Sequence, residues 1–553
     1  MGGVTFGSVA TFVAAFLAWI TGCLSPGPGA AALVAGATLG LLAVRGVAPG
    51  PGQGEPWTRW EQLTLGAFAL VSLRQFGGLV FERDGFLLTL LPYNYGDLPL
   101  HWTYIQHLAS GAPFWPENPI LTHDRLRYPL GVDLLTAVFV RIGLSLEAVL
   151  PAMGLAGAAL AALALRRWGG AFAVAGFLFA GGLAGLPALV TLRLADVDAT
   201  VAWKNLFLAL FVPQRGFLLA LPVGLVLLGS WRARLLRGEP TRLPDWALGL
   251  LWGALPLIHL HTFAFVSVVG ASWAIASSRL RLVLPSLAVA LLPATWAVLQ
   301  VTDGLRAAAL VGWAPGWVIG EEAPLVFLAR NFGLWLPLAV AALVVAARAR
   351  RHEELLVLVP ALSVFALLFF VRLAPWAWDN TKVMLWCYVL MLPALDSLIL
   401  IRLRPGLRAV VLALLFASGL QSVLWACIGR LPRLELLDRS EYAAVCEALA
   451  AVPTTRVATA QTFNHPVALC GRPIVAGYPG HLWSHGLESA STQARLERLL
   501  RGDAGWLDDA HAVGASHLFW GAREAAAHPG SARPWQPGRP VASGSWGALY
   551  RLQ

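Results

Sequence analysis

Residues 1–44 read MGGVTFGSVATFVAAFLAWITGCLSPGPGAAALVAGATLGLLAV, and the first charged side chain is Arg45. A bilayer core about 30 Å thick takes about 20 apolar residues per helix. The stretch therefore reads as two spans, 4–24 and 29–46, folded back at Pro26-Gly27-Pro28-Gly29. No positive charge precedes the first apolar run, so it lacks the n-region of a cleavable signal peptide and is expected to remain as a span.

The rest of the chain continues in this manner. Of its 553 residues, 58% are apolar and 13% charged, against roughly 25% charged in a soluble domain. This excludes a soluble globular protein. The net charge of +10 comes from arginine clusters between apolar runs, as in cytoplasmic loops. No long basic run is present, so nucleic acid is not an expected partner.

Letting the arginine clusters mark the inside gives one consistent alternation of thirteen spans. A third span, 62–81, leads into a long outer loop, 82–145. Spans 146–165 and 168–191 flank Arg166-Arg167, and 214–231 ends at Arg232, Arg234 and Arg237. Residues 244–278 are too long for one span and carry Pro256 and His259-Leu260-His261 midway, predicting two short helices that meet at the outer face. Spans 282–300, 323–347, 354–372, 383–401 and 409–428 follow. The expected architecture is thus a polytopic α-helical membrane domain over 1–437 and a small extracytoplasmic α/β domain over 438–553. The N-terminus is expected in the cytoplasm.

In the second part, Ser440 is positioned to cap a helix over 441–451, and 492–500 is helical in pattern. Short strands are expected at 456–459, 473–476, 517–520 and 548–552. Cys446 and Cys470 lie there and can pair in an oxidising compartment, or remain two buried thiols.

The densest polar cluster is the outer loop: Tyr93-Asn94-Tyr95-Gly96-Asp97-Leu98-Pro99-Leu100-His101, Trp115-Pro116-Glu117-Asn118-Pro119, and Leu126-Arg127-Tyr128-Pro129-Leu130. A carboxylate just above the bilayer among aromatic rings suits a general base acting on a lipid-linked substrate. Asp97 suits equally the N-cap of a helix opening at Pro99.

These segments resemble the GT-C superfamily of membrane glycosyltransferases, and their wording resembles a bacterial branch of it. That branch also shares Leu255-Pro256-Leu257-Ile258-His259, Trp378-Asp379-Asn380-Thr381-Lys382, Asn464-His465-Pro466 and Gly477-Tyr478-Pro479-Gly480. The resemblance implies a GT-C-like fold and inverting transfer of a sugar from a polyprenyl-phosphate donor at the outer face of the inner membrane. The acceptor is an envelope glycan, lipid or protein, and Asp97 is the base. Leu98 stands where several GT-C families carry a second acidic residue, which leaves dependence on a divalent metal open; no metal ligand is assigned.

A phosphate leaving group needs cations. Of the 40 basic residues only Lys204 and Lys382 are lysines, and the topology puts both at the outer face. Lys382, three residues after Asp379, is a candidate for the donor phosphate or one half of an interfacial ion pair. Arg215 is the second phosphate candidate and Lys204 the third. His101, Glu117, Arg127, Tyr128, His259, His261, Asp379 and Asn380 are candidates to line or orient the cavity. His481 and His485 have the helical spacing of a ligand pair, but no thiol or carboxylate accompanies them. With Asn464, His465, Tyr478 and Trp483 they better suit a platform that stacks on a sugar. A packed domain interface is the alternative for this loop. A flippase or transporter of lipid-linked sugars, or an inactive GT-C-like assembly subunit, are the rival functions. The absence of GxxxxGK[ST] and GxSxG motifs argues against ATP-driven transport and serine hydrolysis.

Overall fold

Glycine and proline set where the apolar helices stop. The computed structural model describes residues 1–45, 57–306, 310–453 and 455–552, so residue 46 of the second expected span and residue 553 fall outside it. Helix α1 (Gly2–Thr21) ends on Gly22 at φ 85°, and Pro26 opens α2 (Pro26–Val44). Thr58 and Glu61 cap α3 (Arg59–Gly77) with reciprocal hydrogen bonds. The loop beyond it forms β1 (Phe81–Arg83), β2 (Phe86–Thr89), α4 (Pro92–Ala109) and α5 (Gly131–Arg141).

Next comes α6 (Leu146–Leu178), broken at Gly169 and Gly170, then α7 (Leu186–Val190), α8 (Phe217–Trp231), α9 (Asp245–Ile258) and α10 (Leu260–Ala276). These are followed by α11 (Leu284–Val301), β3 (Gly312–Trp313), α12 (Pro324–Phe332), α13 (Trp335–Arg348), α14 (His352–Leu367), β4 (Val371–Arg372), α15 (Thr381–Leu398) and α16 (Pro405–Ile428).

Among the described residues, seven helices are long and apolar enough to cross a bilayer: α1, α2, α6, α8 with its turn to Arg237, α11, α15 with its flanking turns, and α16. Such helices make the chain an integral membrane protein. The pair α12 and α13, bent by 90°, makes an eighth if counted as one span. Seven helices, or eight with the bent pair, pass this test of length and apolarity, against thirteen segments expected. Residues 244–278 divide into α9 and α10 at His259, whose φ of −164° and ψ of 103° are extended. The span expected over 168–191 stops at Leu178 because the glycines that follow serve close backbone packing. A Cβ on Gly182 would lie 2.1 Å from the Arg330 carbonyl oxygen, and one on Gly185 would lie 2.6 Å from the Ser418 Cα.

Buried side chains of α1, α4, α5, α6, α8, α9 and α15 join in one apolar core. Gly224 lets α8 approach α15 so closely that an added Cβ would meet the Trp386 ring at 2.3 Å. The Trp386 indole in turn donates to Thr262 Oγ1 at 2.8 Å, fixing α10 beside both.

From β5 (Leu434–Asp438) the chain leaves the apolar helices and forms α17 (Arg439–Ala450), β6 (Val457–Ala458), α18 (Pro466–Leu469), α19 (Pro479–Ser484), α20 (Ala490–Arg501), α21 (Trp506–Ala512), β7 (His517–Trp520), α22 (Ala522–Ala527), β8 (Ala542–Gly544) and β9 (Gly547–Arg551). Four of these strands order as β6-β7-β9-β8, with only the first pair parallel. The cap of α17 is Asp438, which accepts from the Glu441 N–H at 2.9 Å. Ser440, expected in that role, instead donates its hydroxyl to Asp438 at 2.6 Å. Residues 473–476 form single bridges to Val457 and Leu121 rather than a strand. Cys446 and Cys470 are disulfide-bonded.

Backbone hydrogen bonds fasten this segment to the loop 82–145. β5 pairs antiparallel with β2. The N–H groups of Thr122, Ile474 and Gly477 donate to the carbonyls of Val475, Pro119 and Ile120 at 2.8 to 2.9 Å. The Trp102 indole donates to the Tyr442 hydroxyl at 3.2 Å. The register brings α19 over α4, where the polar residues of the loop are gathered.

Candidate functional site

Pro92, with φ preset for a first helical turn, starts α4 seven residues before Pro99. Asp97 therefore lies inside the helix and is not the N-cap that its place before Leu98-Pro99 suggested. Its Oδ2 accepts from Gln214 Nε2 at 2.9 Å. The other charges acting on it are His101, one turn along α4, and Lys382 and Asp379 at the start of α15. Burial pushes the Asp97 carboxyl above the ordinary carboxylate value; His101 and Lys382 oppose that shift and Asp379 adds to it.

Lys382 Nζ contacts Asp379 Oδ2 at 3.0 Å, with both side chains mostly shielded. The pair forms because the turn Ala377–Asn380 runs directly into α15, placing the two side chains on one face. Asn380 is 1% exposed and acts as a brace: its amide donates to the carbonyls of Leu368 and Val371 at 2.8 and 2.7 Å, and its oxygen accepts from the Leu373 N–H at 3.0 Å. It does not line a cavity.

Below Asp97 lies a buried charge network that the sequence reading missed. Asp133, on α5, binds His101 Nδ1 through Oδ2 at 2.7 Å and Arg215 Nε through Oδ1 at 2.9 Å. Arg215 also donates to Thr136 Oγ1 at 2.6 Å, and both charged side chains are 3% exposed. Arg215, a candidate for the donor phosphate, is thus engaged by Asp133 and withdrawn from any ligand. The lone carboxylate in the apolar run Leu130-Gly131-Val132-Asp133-Leu134-Leu135 was a signal available to sequence, because a charge buried there requires a partner. Gln214, which holds Asp97, had no such signal.

His259 caps α10: its Nδ1 accepts from the Thr262 N–H at 3.2 Å, and its ring lies 4.3 Å from that of Phe217. His261 is half-buried, 5.6 Å from His259 between ring centres, and close enough to feel Lys382 and Asp379. Lys204 stands over the Tyr93 ring at 4.9 Å and the Trp378 ring at 6.0 Å, a cation on two aromatic faces. Tyr128 lies between the rings of His101, Tyr104 and His485 at 6.0, 5.4 and 5.3 Å. Its neighbour Arg127 turns instead to Asp124 at 3.2 Å. Glu117 is far more exposed than a cavity residue and pairs with Arg456 at 3.0 Å.

The loop around α19 divides in the same way. His481 is held at the backbone of Gly96, next to Asp97 in the chain, and His485 packs on Tyr128. Tyr478 stacks edgewise on His481 at 5.3 Å. Trp483 is 57% exposed. His465 is 0% exposed and bound to Glu524 at 2.9 Å, inside the C-terminal segment, so it offers nothing to a sugar. Asn464 donates to the Leu436 carbonyl at 2.6 Å. Among the described residues, no three His, Cys, Asp or Glu side chains gather as metal ligands. These residues do not fit a divalent ion.

Burial lowers the pKa of His481 to about 4 and of His485 to about 3, with electrostatic repulsion from the side of His481, Lys382 and His101 adding to the second. Both are neutral when folded, whereas an unfolded histidine titrates near 6.5. Their contribution is complete above pH 6.5 and is lost as the pH falls from there toward 4 and then 3. Thermal or denaturant unfolding should weaken over this window by up to about 1.4 kcal/mol per pH unit per histidine. His485→Gln should flatten the slope; an unchanged slope would show that His485 is not buried neutral.

No protein-family model matches the sequence, and no curated protein does. Among solved structures, the chain is similar to the Archaeoglobus fulgidus oligosaccharyltransferase in its apo form, with 14% identity over 84% of this chain and 70% of that one and a TM-score of 0.43. It is also similar to the arabinofuranosyltransferase AftD from Mycobacteria, with 14% identity, 89% of this chain, 40% of that one and a TM-score of 0.43. This chain covers less than half of the AftD chain. By their names these two solved structures are an oligosaccharyltransferase and an arabinofuranosyltransferase.

Proposed function

We propose that this chain is an inverting membrane glycosyltransferase. It moves a hexosyl or pentosyl group from a polyprenyl-phosphate donor to a hydroxyl of an envelope glycan, lipid or protein. The observation that carries this reading is a half-buried carboxylate, Asp97, held by Gln214 and within electrostatic reach of the Lys382–Asp379 pair. In the proposed step the acceptor oxygen bonds to the anomeric carbon, the bond from that carbon to the phosphate oxygen breaks, and the acceptor proton passes to Asp97. The departing polyprenyl phosphate gains negative charge beside Lys382, which Asp379 orients. Lys204 on its aromatic faces is the second cation near this end of the helices.

Asp133, His101 and Arg215 serve as the rigid support for α4 in this account. Tyr128, His261, Tyr478, His481 and His485 surround the acceptor. The Cys446–Cys470 disulfide supports an extracytoplasmic C-terminal segment. The arginine clusters support a cytoplasmic N-terminus and residence in the inner membrane.

Binding of a polyprenyl phosphate, followed by tryptophan fluorescence in detergent, tests the phosphate assignment. Lys382→Met should weaken binding by roughly tenfold or more, the value of one lost charge-assisted hydrogen bond. Unchanged binding would remove Lys382 from the site.

A further inference from the structure

A polar groove lies at the far end of the same helices. Gln214 and His259 mark the Asp97 end of α8 and α9; Arg234 and Asp245 mark the other. The span Phe217–Arg237 has 21 residues, which separates the two ends by about 30 Å. There the end of α2, the turn after α8 and the loop before α9 border an open groove of about 430 Å³, lined by Leu42, Arg45, Arg234, Thr241, Arg242 and Asp245 among others.

The charges in this groove do not balance. Arg234 is satisfied: it pairs with Asp245 and donates to Thr241 Oγ1 at 2.8 Å and to the Leu282 carbonyl at 2.9 Å. Arg45 and Arg242 have no carboxylate partner among the described residues, and Arg242 lies within electrostatic reach of a further cation, the exposed Arg167. Three neighbouring arginines are neutralised, Arg166 by Glu61 and both Arg232 and Arg237 by Glu353. Uncompensated guanidiniums around a groove call for an anion with several acceptor oxygens.

The surroundings indicate where that anion comes from. The groove opens at the end of α2, whose apolar window is only 28% buried. Leu41 and Leu42, next to the groove, are 70% and 44% exposed. An apolar helix face of this kind lies against acyl chains. We propose that the groove holds the phosphate headgroup of an anionic phospholipid, with its acyl chains lying along α2. The site is independent of the transfer reaction and lies at the opposite end of the helices from it.

The test titrates phosphatidylglycerol, phosphatidylcholine or inorganic phosphate into delipidated protein in detergent, with binding read by native mass spectrometry and by the thermal midpoint. Wild type should prefer phosphatidylglycerol to phosphatidylcholine, and inorganic phosphate should stabilise it little. Each arginine removed should cost about 5-fold, so Arg45→Gln/Arg242→Gln should reduce the preference roughly 25-fold. Arg45→Lys/Arg242→Lys should retain most of it. Arg45 is exposed, so Arg45→Gln alone tests the site with an intact fold. A preference that survives the Gln pair overturns the proposal. So does an equal loss in Arg348→Gln/Arg350→Gln, two exposed arginines at the end of α13. Stabilisation by inorganic phosphate equal to that by phosphatidylglycerol would overturn the lipid assignment.

Discussion

Asp97→Asn should lower kcat for sugar transfer by about 100- to 10,000-fold, the range lost with a positioned general base. The substitution keeps an oxygen that can accept from Gln214, so the helix contact and the thermal midpoint should persist. The pH dependence carries a second expectation. A base works deprotonated, and burial raises the Asp97 pKa, so activity should fall as the pH drops through a value above the ordinary 3.8 of aspartate. Wild-type activity that stays flat down to pH 4 would place the essential carboxylate elsewhere.

The second large effect is on stability. Asp133→Asn should destabilise the protein by about 3–5 kcal/mol, because it leaves the Arg215 guanidinium charged in a site where its side chain is 3% exposed. His101 loses the same partner, at 2.7 Å. Removing the stranded charge as well, in Asp133→Asn/Arg215→Gln, should recover part of the loss, since the two residues form one network. Denaturant unfolding in detergent reads both variants. A loss below 1 kcal/mol for the single variant would mean that Arg215 reaches water or another anion.

What sequence could and could not convey follows from the kind of interaction involved. Apolar run length and arginine placement are local properties, so the helical membrane architecture was legible from residues 1–44 onward. The break at His259 was legible too, because 244–278 exceeds one span and carries Pro256 and two histidines at its middle. The span expected over 168–191 failed because hydropathy does not distinguish a glycine in a helix from Gly182, which packs against the Arg330 carbonyl far along the chain.

The site divides along the same line. Asp97, Lys382 and Asp379 stood out as charges at the edge of apolar runs; in the fold Lys382 pairs with Asp379 and both act electrostatically on Asp97. The cap reading of Asp97 relied on Pro99 opening a helix, whereas Pro92 had already opened it. Asn380, His465 and Arg215 looked available in sequence, but tertiary hydrogen bonds engage all three: backbone carbonyls for Asn380, Glu524 for His465 and Asp133 for Arg215. Polar residues near a motif are as often its support as its surface, and only their partners separate the two.

The central claim is that this chain transfers a sugar from a lipid-linked donor. Its most direct test is incubation of the purified wild-type protein in detergent with a panel of radiolabelled polyprenyl-phosphate sugars and acceptor glycans. The account predicts labelled product from at least one donor, with the anomeric configuration inverted. Neither product nor donor binding with any member of the panel would contradict it.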